Sequence, residues 1–109
     1  MSATSLHRLC RAFPVPTVIV TLGARGCFLS HAGGFTVVPA HQGIKVVDTT
    51  GAGDAFVGGF AAGLVKFGGD LERAARFGNA VAALSVTRPG TAPSMPRAKE
   101  IARFLKSRL

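Results

Sequence analysis

Two hydrophobic regimes divide the chain. Thr17 to Leu22 is continuously apolar and β-branched, which predicts a strand suited to a buried sheet. Gly23 to Gly26 reads as a turn, and Cys27 to His31 with Phe35 to Pro39 read as a hairpin around Ala32-Gly33-Gly34. Ile44 to Val47 is a further short apolar run, read as a strand. The period then becomes helical. Asp54 to Lys66 predicts a helix interrupted by Gly58, Gly59 and Gly63; glycines weaken a helix, so their number points to close packing or to a site near the backbone. Gly68-Gly69 ends it, and Asp70 caps a second helix over Leu71 to Val86. Pro96 opens a last helix with Ile101, Phe104 and Leu105 on its apolar stripe. Upstream, Leu6, Leu9, Cys10 and Phe13 fall at helical spacing, so Met1 to Phe13 reads as the end of a helix. Strands followed by helices predict an α/β sandwich with a mostly parallel sheet.

The junction between the regimes carries the chemistry. In Val46-Val47-Asp48-Thr49-Thr50-Gly51-Ala52-Gly53-Asp54-Ala55-Phe56, an apolar run delivers Asp48, three small residues follow, and Asp54 opens the helix. Small residues let backbone N–H groups approach an anion, and a helix start adds unpaired donors and the positive dipole end. Gly51, Ala52 and Gly53 thus form a candidate phosphate cradle. An aspartate beside it has the wrong charge for a phosphate ligand but suits a base that deprotonates the attacking hydroxyl. The plainer reading is a glycine turn with Asp54 as a helix cap. No G-x-x-x-x-G-K-[ST] occurs, and the dinucleotide pattern beginning at Gly51 breaks at Phe56.

Composition narrows the classes. A chain of 109 residues makes one domain, and 48% hydrophobic content supplies a core. The longest near-apolar stretch, Ala55 to Val65, is too short and glycine-rich to span a membrane, and Met1 to Arg11 lacks the apolar region of a signal peptide. A cytoplasmic protein with no membrane partner is expected. Cys10 and Cys27 have no metal or redox spacing and read as buried thiols. His7, His31 and His41 share no ligand spacing and read as surface or loop residues. The net charge of +8 raises nucleic acid as a partner, but Arg97, Lys99, Arg103, Lys106 and Arg108 form the solvated face of the last helix. No zinc, RNA-binding or helix-turn-helix pattern accompanies them, so no nucleic-acid partner is expected.

Asp48 to Phe56 followed by Gly58-Gly59-Phe60 resembles the C-terminal signature of the pfkB family of carbohydrate kinases, which have the ribokinase-like fold. Val18 to Gly26 is similar to that family's nucleotide-binding strand and turn. Thr87-Arg88-Pro89-Gly90-Thr91-Ala92-Pro93-Ser94-Met95-Pro96 is similar to the loop beside its monovalent-cation site, and favours ribokinase over fructokinase relatives. The resemblance runs from about Pro16 to Leu105. It implies the C-terminal part of a ribokinase-like three-layer α/β/α sandwich, with residues 1–109 one C-terminal segment of the kinase domain. The family's N-terminal strands, sugar-binding Asp and glycine motif, lid and magnesium-associated Asn/Glu motif have no counterpart in this chain.

The resemblance also implies roles. Asp54 is the catalytic base and touches the sugar, and Gly51, Ala52 and Gly53 are the anion hole. Thr21, Leu22, Gly23, Ala24, Arg25 and Gly26, with Gly53, Asp54 and Asn79, hold ATP, which comes with Mg2+. A potassium site takes the Asp48 side chain and Thr50 carbonyl on one side, and the Ser85, Arg88 and Gly90 carbonyls with Ser94 on the other. The implied function is ATP-dependent phosphorylation of a sugar hydroxyl, ribose favoured. The alternative is a non-catalytic nucleotide-binding remnant, or one half of a split kinase. Strands from Thr17 to Val47 would pair with absent N-terminal strands, so an open edge at Val18-Ile19-Val20 and apolar surface on the Asp54 to Lys66 helix are expected, and with them an oligomer or a missing N-terminal half as partner.

Overall fold

The computed structural model describes residues 1–89 and 96–107. In order these form α1 (Ala3–Arg11), β1 (Thr17–Thr21), a 3-10 turn (Gly23–Arg25), β2 (Cys27–His31), β3 (Gly34–Val38), α2 (Ala52–Lys66), α3 (Leu71–Ser85) and α4 (Ala98–Ser107).

The sheet order is β1-β2-β3, and both pairings are antiparallel. The α/β class stands, but the expectation of a mostly parallel sheet is corrected within these residues. Parallel neighbours need a crossover of a dozen or more residues. Here β1 and β2 are joined through a single 3-10 turn, and β2 and β3 by Ala32-Gly33 alone. Ile44 to Val47 is not a strand. Its apolar residues Val46 and Val47 are exposed, and the Val47 and Asp48 amides donate to the Val86 carbonyl at 2.7 and 3.1 Å rather than to a ladder.

Alternation along β2 divides the sheet between two helical layers. Cys27 and Leu29, with Val38 of β3, pack against Phe56 of α2 and Ala75 of α3. Phe28 and Ser30 face the other way. Phe28 stacks on Phe35 at 5.3 Å, and Ser30, fully buried, is held by α1. The Arg11 side chain donates through Nε to Ser30 Oγ at 3.0 Å and through Nη2 to the Ser30 carbonyl at 2.8 Å; His7 Nδ1 lies 2.7 Å from the same hydroxyl. His7 is therefore a half-buried helix residue, and His41 packs edge-on against Phe104, so neither is a bystander on the surface. Both cysteines are free and buried, as expected.

The helices begin and end on local chemistry. Ser2 caps α1 and Asp70 caps α3, each side chain accepting a backbone amide three residues on, at 3.1 Å. Past α2, the Gly69 amide reaches the Leu64 carbonyl at 2.8 Å and Gly68 takes φ 61°, a glycine-requiring stop. At α4, Pro96 stands outside the helix, and the Glu100 carboxylate instead accepts the Arg97 amide at 3.0 Å.

Close packing accounts for two of the three α2 glycines beyond Asp54. A Cβ on Gly59 would sit 2.7 Å from Val81, and one on Gly63 2.8 Å from the Ala74 Cα. Gly58 faces open space. The outer flank of α2 leaves Val57 and Val65 exposed, and Ile101 of α4 seals the far side of α3 against Ala80 and Val81.

Candidate active site

A cavity of about 450 Å³ opens between the end of β1, the segment after β3, and the starts of α2 and the end of α3. Thr21, Gly23, Ala24 and Gly26 form one wall, and Ala52, Gly53 and Phe56 another. Asn79 with Ala82, Ala83 and Val86 of α3 and its exit close the back. Two segments far apart in sequence, each singled out for its own glycines, thus share one concavity.

Local conformation explains the glycine wall. Gly26 has φ 100°, and a Cβ there would fall 2.1 Å from the Val38 carbonyl oxygen and 2.6 Å from the Ala40 nitrogen. Only a residue without a side chain lets the turn lie this close to the exit of β3. Asn79 secures the same exit from the other direction. Its Nδ2 donates to the carbonyls of Val38 and Pro39, both at 3.2 Å. Asn79 is 6% exposed, so it is not a solvent-facing polar residue on α3. Of the turn residues, Leu22 and Arg25 do not line the cavity, and Arg25 is exposed on the turn.

At the cradle, Gly51 is the residue preceding α2, at φ 81° and ψ 2°, and no side chain caps the helix. Helix α2 begins at Ala52, two residues before Asp54, so Asp54 is not the helix cap; it lies in the first turn with its side chain exposed. The Ala52 amide already donates to the Thr49 carbonyl at 3.1 Å. The open donors of the first turn are therefore the amides of Gly53 and Asp54 rather than that of Ala52. A Cβ on Gly53 would meet nothing within 4 Å, which leaves room for a ligand atom.

Asp48 and Thr50 stand beside this turn without lining the cavity; Thr49, between them, does. Asp48 Oδ1 accepts the Thr50 amide at 2.9 Å, which fixes the irregular turn ahead of the cradle. The Ser85 hydroxyl is buried and donates to the Ala82 carbonyl at 2.8 Å, and the Ser85 carbonyl accepts the Arg88 amide at 3.3 Å. The Arg88 guanidinium is spent on Glu100, at 2.7 and 3.4 Å. That ion pair, with the Arg97 amide as the larger influence, holds the Glu100 carboxyl below its ordinary range. Gly90 and Ser94 lie outside the described residues.

Sequence reasoning missed the segment Ala40 to Ile44 and Val46, which supplies the cavity's remaining wall. Its Gln42-Gly43 pair, with Gly43 at φ 71°, was the available sign of a turn rather than a strand approach. Among the described residues, no three His, Cys, Asp or Glu side chains gather as a metal site, and no helix is long and apolar enough to cross a membrane.

The sequence matches the pfkB family carbohydrate kinases over residues 3–98. A ribokinase from Haemophilus influenzae is 40% identical over 92 residues, which is 84% of this chain and 29% of that protein. The crystal structure of a ribokinase from Thermotoga maritima superposes with a TM-score of 0.85 at 39% identity, covering 93% of this chain and 34% of the other. An Arabidopsis thaliana ribokinase complexed with ribose and ATP gives 0.86 at 36% identity, covering 94% and 33%. This chain spans about a third of the length of such relatives.

Proposed function

The chain belongs to the pfkB family of carbohydrate kinases, and on that premise we propose that it is the C-terminal segment of a ribokinase-like enzyme that moves the γ-phosphoryl group of ATP to a sugar hydroxyl, ribose favoured. One observation carries the reading: the Thr21 to Gly26 turn and the Ala52-Gly53 cradle open onto a single cavity with Asn79 at its back. A nucleotide lying along the turn directs its phosphates toward the first turn of α2. There the open amides of Gly53 and Asp54, in the Gly51-Ala52-Gly53 cradle, hold the charge that develops on the transferred group. Asp54, exposed at that turn, takes the proton from the sugar hydroxyl.

Magnesium supplies charge neutralisation on the phosphates. It would be held chiefly through the ATP phosphates. For potassium the donor set fits in part: Asp48 and the carbonyls of Thr50, Ser85 and Arg88 are oxygens at irregular backbone or a helix end, and Gly90 and Ser94 complete the proposed set.

A chain spanning a third of its relatives favours a second reading, in which it binds nucleotide without turnover or serves as one half of a split kinase. Calorimetric titration with ATP tests the nucleotide site that both readings share, and a coupled assay for ribose-dependent ADP release tests whether this chain turns over by itself. The isolated chain should bind ATP and release no appreciable ADP, because the groups that position the sugar are missing. Absence of ATP binding would refute the nucleotide site itself. In a complete kinase built on this segment, Asp54→Asn should lower turnover by about 10²–10⁴ and leave ATP affinity within a few-fold. A variant that keeps a tenth of normal turnover would remove Asp54 from the base role.

A further inference from the structure

The cavity wall from Ala40 to Ile44, completed by Val46, belongs to no helix or strand. It is anchored at both ends. Before it, Asn79 holds the carbonyls of Val38 and Pro39; after it, the Val86 carbonyl takes the amides of Val47 and Asp48. Between these anchors α4 meets the wall at His41, whose imidazole lies edge-on to the Phe104 ring, with centroids 4.9 Å apart and planes at 83°. We propose that Phe104 is a positioning residue for the nucleotide: it holds His41, and through His41 it holds the wall in the shape that receives ATP. The proposal rests on the nucleotide site described above.

His41 stands within the wall and not behind it. It lines the main cavity, and it also lines a smaller concavity of about 330 Å³ on the outer side, beside Pro39 and Arg76. Open space on two sides leaves the segment thin at this point. Gly43, two residues on at φ 71°, has no side chain to stiffen the turn. A segment of this kind has little packing to set its shape, so a rigid support in its middle decides where it lies.

Phe104 is such a support. Half-buried, it packs against the cluster of Ala55, Ala80, Val81 and Ile101. Ile101, three residues earlier, is buried, and Glu100, four residues earlier, is bound to Arg88 at 2.7 Å. Residues three and four apart share a helix face. One face of α4 therefore carries an apolar anchor on α3, an ion pair to the segment leaving α3, and the ring that meets His41. Aromatic pairs favour the edge-on arrangement and gain from it beyond the area they cover. A leucine in this place would keep contact with the apolar cluster and lose that preference. The ring thus carries the fixed position of α3 to the middle of the wall.

Nitrogen-15 relaxation on the ligand-free whole chain reads the wall without any nucleotide. Phe104→Leu should lower the backbone order parameters of residues 41–44 from about 0.85 toward 0.6, while those of α2 and α3 stay unchanged. Phe104→Tyr keeps the ring and should keep the parent values. Ile101→Val loosens the seat of α4 with the ring in place; it should lower the melting temperature and leave the wall rigid. Calorimetric titration with ATP gives the functional readout. The Kd should rise by about 3–10-fold in Phe104→Leu, the range an aromatic pair supplies, and stay at the parent value in Phe104→Tyr and Ile101→Val. In a complete kinase built on this segment, Phe104→Leu should raise KM for ATP by the same factor and leave kcat within about 2-fold. A parent chain that binds no ATP would overturn the nucleotide site and this role with it. A parent that binds ATP while Phe104→Leu binds it equally well would overturn the role of Phe104 alone. So would unchanged order parameters at residues 41–44, or an Ile101→Val protein whose wall and ATP affinity suffer as much as those of Phe104→Leu.

Discussion

One substitution, made at two glycines of the same helix, should have opposite effects. At Gly58→Ala, the new methyl group meets nothing within 4 Å. The gain is then the helix propensity alone, about 0.5–1 kcal/mol. At Gly63→Ala, the methyl carbon would lie 2.8 Å from the Ala74 Cα and 3.2 Å from both the Ala74 oxygen and the Phe77 Cβ. Ordinary carbon contacts are roughly 3.5–4.0 Å, so α2 and α3 must separate locally by about 1 Å. Backbone atoms of α3 stand in the way, and no rotamer change relieves them. The neighbouring close contacts at Gly59 and Gly78 would loosen in consequence. Overpacking of this kind costs about 1–3 kcal/mol. With the obstacle in the backbone the upper part of that range applies, and the net loss after the propensity gain is roughly 1–2 kcal/mol. The two variants should therefore differ by about 2–3 kcal/mol, or roughly 8–20 °C in melting temperature for a domain of this size. Thermal melts followed at 222 nm, at one protein concentration so that association does not enter, measure this directly. A Gly63→Ala protein as stable as the parent, or a Gly58→Ala protein less stable, would refute the packing argument.

Three other outcomes are expected. If Asp48, Thr50 and the residues after α3 hold potassium, a complete kinase should be activated by K+ well beyond Na+ or Li+, and Asp48→Ala should blunt that response; equal rates in the three salts at matched ionic strength count against it. Burial pushes the Cys27 thiol up from 9.0 to about 11, so the native fold favours the protonated form; its contribution to stability is complete below about pH 9 and is lost as pH rises through 11, read as a falling melting temperature that Cys27→Ala abolishes. Glu100 has the opposite sign: its folded carboxyl is held low, so its contribution is present above 4.5 and lost as pH falls through the folded value. Glu100→Gln should flatten that acid limb, and an unchanged acid titration of the helix signal would dismiss the Glu100 contacts as a fastening for α4.

Much of this could be read from the chain because local chemistry decided it. The helix stop at Gly68-Gly69, the Asp70 cap, the hairpin at Ala32-Gly33 and the solvated face of α4 each depend on residues a few positions apart. The Ile44 to Val47 strand misled because a short apolar run reports a surface that wants covering, not the partner that covers it. Here the Val86 carbonyl takes the two amides, and the segment turns into a cavity wall instead. Sheet polarity was legible in part. The short turns that predicted a hairpin also forbid a parallel crossover, whereas the expectation of parallel strands came from the order of elements. At the site, the glycines named the right segments, but which amides stay open depended on the bond from Ala52 to Thr49. For Asn79 only the resemblance pointed to the site, and its bonds to β3 had no sign, since a carboxamide amid a helix reads the same whether its target is water or a carbonyl.

The pair of hydrogen bonds from Asn79 to the end of β3 also bears on the order of events when the chain folds. The β1–β3 meander and the α2–α3 pair each close through short turns, so each can form early with little loop-closure entropy against it. The carboxamide of Asn79 reaches carbonyls 41 and 40 residues away. That long closure joins two units that are otherwise locally built, and it sits at the back of the cavity. The walls of the cavity belong to local steps; the space between them comes into being only when the two units meet.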